Sequence, residues 1–164
     1  MVLRCTKKLI AILGASFIAD PGPLPNDEDW YANLFWFDRR KCLLLTHTAT
    51  LFTIFEADVT AAQLRSGSSF VSPLIARELV AEDLPTAAFG DTALEKIVWA
   101  RTANRSVLGC MNDMAFLCET IVARSGSLSV TDHAELNRLL HRNINRTRSY
   151  KSPIDLVRER VPSA

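Results

Sequence analysis

The sequence predicts a mixed α/β fold: a single mixed sheet of about five strands, built around a three-strand antiparallel meander and packed by helices. Three observations carry this. Apolar runs of strand length crowd between residues 31 and 56, divided by turns of a few residues. Two further strand-like runs stand apart, each joined to its neighbours through segments with helical periodicity. The segment 105–124 has few polar positions, as expected of a buried spine helix.

The first strand is short, Val2 to Cys5. Thr6 stands where a cap is expected, before a helix from Lys7 to about Ala15 with Leu9, Ile10 and Leu13 on one stripe. DPGPLPNDEDW follows, and its prolines, glycine and acids mark a loop. Three strands come next: Tyr31 to Phe37, Cys42 to Thr46 and Thr50 to Glu56. The first of these is aromatic-rich and apolar on both faces, hence central.

Thr60 and Gln63 have capping-box spacing and open a helical region broken by SGSS at 66–69. The helix resumes near Phe70, with Pro73 in its first turn, and runs to about Glu82. A fifth strand, about Glu95 to Arg101, precedes the spine helix, for which Asn104 is the expected cap. Met111 and Leu117 are read as inward-facing on that helix. Thr131 is the expected cap of a last main helix to about Asn145. Residues 1–150 are read as one α/β domain and 151–164 as a tail or short helix opened by Ser152-Pro153.

Composition bounds the function. The chain has 164 residues, 48% hydrophobic and 23% charged, which suits a folded domain with its own core. Net charge is only +1, so distribution matters more than the total. Arg138, Arg142, Arg146, Arg148 and Lys151 form a basic stretch with no acid among them. Cys5, Cys42, Cys110 and Cys118 lie in apolar runs without CxxC spacing, so buried free thiols and a reducing, cytoplasmic compartment are expected. The first apolar run, Leu9 to Leu13, is short for a signal peptide. No segment is read as approaching a membrane span, and no membrane partner is expected.

Topology suggests where function sits. Two helical crossovers and the meander set strands one, two, four and five in one direction, with only strand three reversed. Their C-terminal ends then share an edge. Lys7 and Lys8 follow the first strand; Asp38, Arg39, Arg40 and Lys41 follow the second. Arg101, Asn104, Arg105 and Ser106 follow the fifth, and Asn112 lies two turns further along the spine helix. Ligands of open α/β sheets sit outside such ends, and a phosphate suits this set of groups. The competing reading makes these cations a solvated edge that discourages strand pairing.

Other chemistry is not legible. His47, His133 and His141 have no metal-ligand spacing, so no metal site and no cofactor are expected. No GxxxxGK[ST], GxGxxG or GxSxG motif is present. Cys42 follows Lys41 and is a nucleophile only if exposed.

LRCTKKL, WYANLFWFDRRKCLLLTH, NRSVLGCMNDMAFLCE and ELNRLLHRNIN together resemble a bacterial domain family of unknown function, related to domains of plasmid open-reading-frame-like products. The resemblance covers about Val2 to Ile144 and implies a bacterial, intracellular protein with no catalytic residue to carry over. It falls on Arg4, Thr6, Lys7, Lys8, Asn33, Arg39, Arg40, Lys41, Arg105, Ser106 and Asn112.

The leading expectation is a non-enzymatic binding module for an anionic partner, nucleic acid or a nucleotide phosphate. The alternatives are an enzyme on a phosphorylated small molecule, and a regulatory subunit whose basic 138–151 stretch meets an acidic protein.

Overall fold

A computed structural model of the protein describes residues 1–20, 22–92, 96–145 and 148–161. Its strands are β1 (Val2–Cys5), β2 (Trp30–Phe37), β3 (Arg40–His47), β4 (Thr53–Glu56) and β5 (Val98–Arg101). They form one mixed sheet in the order β4-β3-β2-β1-β5. β1 is parallel to β2 and β5, while β3 is antiparallel to β2 and β4, so β3 alone is reversed, as the sequence predicts. β2 is the central strand.

The helices are α1 (Lys7–Leu13), α2 (Ala61–Arg65), α3 (Ser68–Ala81), α4 (Arg105–Ser125), α5 (His133–Arg142) and α6 (Pro153–Arg160). Alternation along β2 divides them between two layers. Trp30, Ala32 and Leu34 point into a cluster with Leu9 and Leu13 of α1, Leu64 of α2, Ile75 and Leu79 of α3, and Ile154 and Val157 of α6. Tyr31 and Phe37 point the other way, into Val107, Met111, Met114 and Cys118 of α4 and Leu136 and Leu140 of α5.

Several local expectations are corrected. The break before α3 is narrower than SGSS. Gly67, at φ 64° and ψ −121°, turns the chain, and the helix resumes at Ser68, leaving Pro73 in its interior. Asp132, not Thr131, caps α5 by accepting the Glu135 N–H at 3.0 Å. The Thr131 hydroxyl instead donates to the Ser127 carbonyl at 2.8 Å. β5 begins at Val98; Glu95, where the fifth strand is expected to start, lies outside the described residues.

α4 is buried on one face only. Asn112, Asp113 and Glu119 are exposed, Phe116 is 71% exposed, and Leu117 is partly buried. By length and hydropathy, 21 residues with an 18-residue window at 1.3, it is long and apolar enough to cross a membrane. That corrects the expectation that no segment approaches such a length. Its apolar face lies on the sheet.

Candidate functional site

β1 and β5 are neighbours in parallel register, with Cys5 opposite Arg101. The helices that follow them diverge. α1 packs on the Leu3 face, whereas α4 packs on the Tyr31 face. A sheet that sends adjacent connections to opposite faces leaves a crevice at the carboxyl ends of those strands.

Both connections are pinned to β2 there. Thr6 precedes α1 but does not cap it with its side chain; its hydroxyl donates to Asn33 Oδ1 at 2.7 Å, and its N–H to the Ala32 carbonyl at 3.1 Å. Asn104 caps α4 as predicted, accepting the Ser106 and Val107 N–H groups at 2.9 and 3.3 Å. Its own N–H donates to the Tyr31 hydroxyl at 2.9 Å.

Lys7, Lys8, Arg101, Arg105 and Ser106 are exposed around this crevice. Lys8 Nζ stands 5.6 Å from the Phe35 ring centroid, reaching toward β2. A cavity of about 230 Å³ adjoins, lined by Arg4, Asp20, Pro23, Arg101 and Thr102 among others. Its base is braced by Arg4, which is 3% exposed. Arg4 pairs with Asp29 and donates to the carbonyls of Arg101 at 3.1 Å and Pro23 at 2.9 Å.

The DRRK turn stands apart from this group. Cys5 pairs with Ala32, and β2 runs five residues past that point to Phe37. Its tip therefore projects about 16 Å beyond the end of β1. Phe37 pairs with Arg40, and Asp38 and Arg39 form the two-residue link at φ 48° and 63°. Such positive values suit the twist of a tight hairpin but strain a non-glycine residue.

The four charged residues of the turn have two separate jobs. Asp38 Oδ2 accepts the Leu128 N–H at 2.6 Å, and Arg40 forks onto Asp58 while donating to Ser129 Oγ at 2.8 Å. These contacts tie the hairpin to the segment after α4 and to the loop after β4, so Arg40 serves as a brace. Arg39 and Lys41 have no ion pair among the described residues. Trp36, 47% exposed, is the cross-strand partner of Lys41. Asn112 is exposed on α4.

The basic stretch 138–151 is largely engaged within the fold. Arg138 meets Glu135 at 3.5 Å, Arg142 meets Glu82 at 2.6 Å and Lys151 meets Glu159 at 2.6 Å. Arg148 donates to the carbonyls of Thr48 and Ala49 at 2.7 and 2.9 Å. Arg146 lies outside the described residues.

The four cysteines are free and buried. Burial raises the Cys42 thiol to about 11, so Cys42 is not an activated nucleophile despite following Lys41. Among the described residues no group of three His, Cys, Asp or Glu is placed to hold a metal.

A second constellation, at the opposite edge of the sheet, is not legible in sequence. His47 ends β3, fully buried, with Nε2 3.6 Å from Glu28 Oε2. Burial lowers its pKa to about 4, helped by the Arg160 charge and opposed by Glu28. The three residues come from a loop, a strand end and the last helix, so no spacing rule groups them.

A family model described as a domain of unknown function, DUF6933, matches residues 2–156. Comparison with curated proteins finds no match.

Proposed function

Because the chain belongs to the DUF6933 family, which has no described activity, we propose its function from geometry alone: a non-enzymatic module that binds single-stranded nucleic acid along the carboxyl edge of the sheet. One observation carries this reading. Lys7, Arg101 and Arg105 at the crevice, and Arg39 and Lys41 at the hairpin tip, have no ion pair among the described residues. Arg4 and Arg40 on the same edge, and Arg77, Arg142 and Arg160 elsewhere, are by contrast committed to carboxylates. A cation left without an internal partner remains available to an external anion.

Spacing favours a polymer over a single phosphate. The end of β1 and the hairpin tip are about 16 Å apart along β2, with Lys8 reaching between them over Phe35. Cations spread along that length suit a strand of several nucleotides better than a single phosphate. The exposed Trp36 ring beside Lys41 supplies a stacking surface of the kind that base-tolerant single-strand binders use. Phosphates contacted by the cations would fix the strand's path, and stacking would add affinity without a sequence code.

The test is binding of a labelled mixed-sequence single-stranded oligonucleotide, followed by fluorescence anisotropy. Lys7→Ala/Arg105→Ala should weaken binding at low salt by about tenfold or more, by loss of two phosphate contacts. Arg138→Ala, which removes a cation outside the edge, should leave it unchanged. Equal losses in both variants would sink the reading.

A further inference from the structure

We infer that the outer face of α4 is a self-association surface, on which a second copy of this chain lies antiparallel about a two-fold axis at Asn112. The inference stands whether or not the sheet edge binds nucleic acid.

α4 has more apolar surface than the sheet covers. It carries an 18-residue window apolar enough to cross a membrane, yet only 39% of that window is buried. Phe116 is 71% exposed on the face turned away from the sheet, with Leu108 and Leu117 partly buried at its flanks. A large aromatic ring left in water at the middle of a long helix marks a face that gains by being covered.

The exposed residues of that face have the spacing of a helix–helix seam. Arg105, Gly109, Asn112, Phe116, Glu119 and Ala123 are all exposed and follow one another in alternating steps of four and three. Such a 3.5-residue period keeps the side chains on one stripe, as packing against a second helix requires.

Charge decides what the second helix is. Arg105 and Glu119 stand seven residues before and after Asn112, about 10 Å along the axis in each direction. Neither has an ion pair among the described residues. A two-fold axis at Asn112 therefore sets Arg105 of each copy opposite Glu119 of the other and makes two ion pairs. A parallel pairing in register would instead oppose arginine to arginine and glutamate to glutamate.

Shape agrees with this register. The two Asn112 amides meet at the axis, where each can donate to the oxygen of the other. Phe116 of each copy falls over Gly109 of the other. A Cβ at Gly109 would meet nothing within 4 Å, so the notch is open to an incoming ring. Asp113, also exposed, works against the contact, because its two copies flank the axis on the same side. One helix pair is a small interface, so the dimer is weak and reversible. Arg105 also belongs to the proposed nucleic-acid edge, so an oligonucleotide and a second copy would exclude one another there.

Sedimentation velocity of the full chain over a concentration series at low salt is the test, and a concentration-dependent dimer is expected. Arg105→Glu and Glu119→Arg each oppose like charges at two places and should weaken it by about tenfold or more. Arg105→Glu/Glu119→Arg exchanges the partners and should restore it. Phe116→Ser, at a position on which the fold does not depend, should weaken the dimer, and Asp113→Asn should tighten it. A chain that stays monomeric throughout, or a double variant no better than the single ones, overturns the proposal. A monomer that binds phosphatidylcholine vesicles through Phe116 assigns the face to a membrane and overturns it equally.

Discussion

Asn137 of α5 pairs with Phe55 of β4 as a neighbouring strand would. Its side-chain Oδ1 accepts the Phe55 N–H at 2.7 Å, and its Nδ2 donates to the Phe55 carbonyl at 3.1 Å. β4 is an edge strand, and an open edge is a template for pairing with other chains. The Asn137 side chain occupies that edge at Phe55. At the other edge the Ala19 N–H does part of the same work, donating to the Trp99 carbonyl at 2.9 Å. Asn137→Ala leaves two buried backbone groups unsatisfied and should cost about 1–3 kcal/mol. Chemical denaturation measures this, and light scattering should show a rise in self-association on warming.

Stability should also depend on His47. The folded-state pKa is about 4, below the ordinary histidine value of 6.5, because burial disfavours the charged form. Between those values the unfolded chain binds the proton and the folded chain does not. The stabilisation is therefore complete above about pH 6.5 and is lost as pH falls toward 4. The difference amounts to about 3 kcal/mol over that window. In His47→Gln the slope of unfolding free energy between pH 6.5 and 4 should flatten by a corresponding amount. An unchanged slope would mean that His47 is not held neutral.

The hairpin tip offers a trade between stability and binding. Arg39 sits at φ 63°, where a side chain costs about 1–2 kcal/mol and glycine does not. Arg39→Gly should therefore raise the denaturation midpoint while weakening oligonucleotide binding. A variant that is more stable and binds equally well would make Arg39 a solvated turn residue and nothing more.

Met111 anchors α4. It is fully buried between the helix and the sheet. Truncation to alanine should cost about 2–5 kcal/mol, the range for large-to-small core changes. Leu117, which is only partly buried, should cost less.

Much of the fold was legible because its signals are local. The crowded strands at 31–56, the Thr60/Gln63 capping box and the Asn104 cap each depend on residues within a few positions, and each forms as the local pattern suggests. Strand direction followed from the crossovers. Register did not. The five-residue overhang of β2 past β1 reflects where tertiary pairing stops, and no residue in β2 announces it. For the same reason the cations of the turn read as one cluster with Lys7 and Arg105. Arg40 was indistinguishable in sequence from Arg39, because its partner Asp58 lies across the sheet edge. The basic stretch 138–151 read as free for lack of local acids, although Glu82 is brought to Arg142 by folding.

On the proposed function, the unpaired cations of the carboxyl edge bind a polyanion through several phosphates at once. This is tested most directly by the salt dependence of single-stranded oligonucleotide binding in the unaltered protein and in Arg39→Ala/Lys41→Ala. Each phosphate contact contributes a slope of about −0.7 in log K against log salt on single strands. A steep slope is expected in the unaltered protein, shallower by about 1.4 in the double variant, with folding intact. Identical slopes in the two proteins, or no binding to any polyanion at low salt, would contradict it.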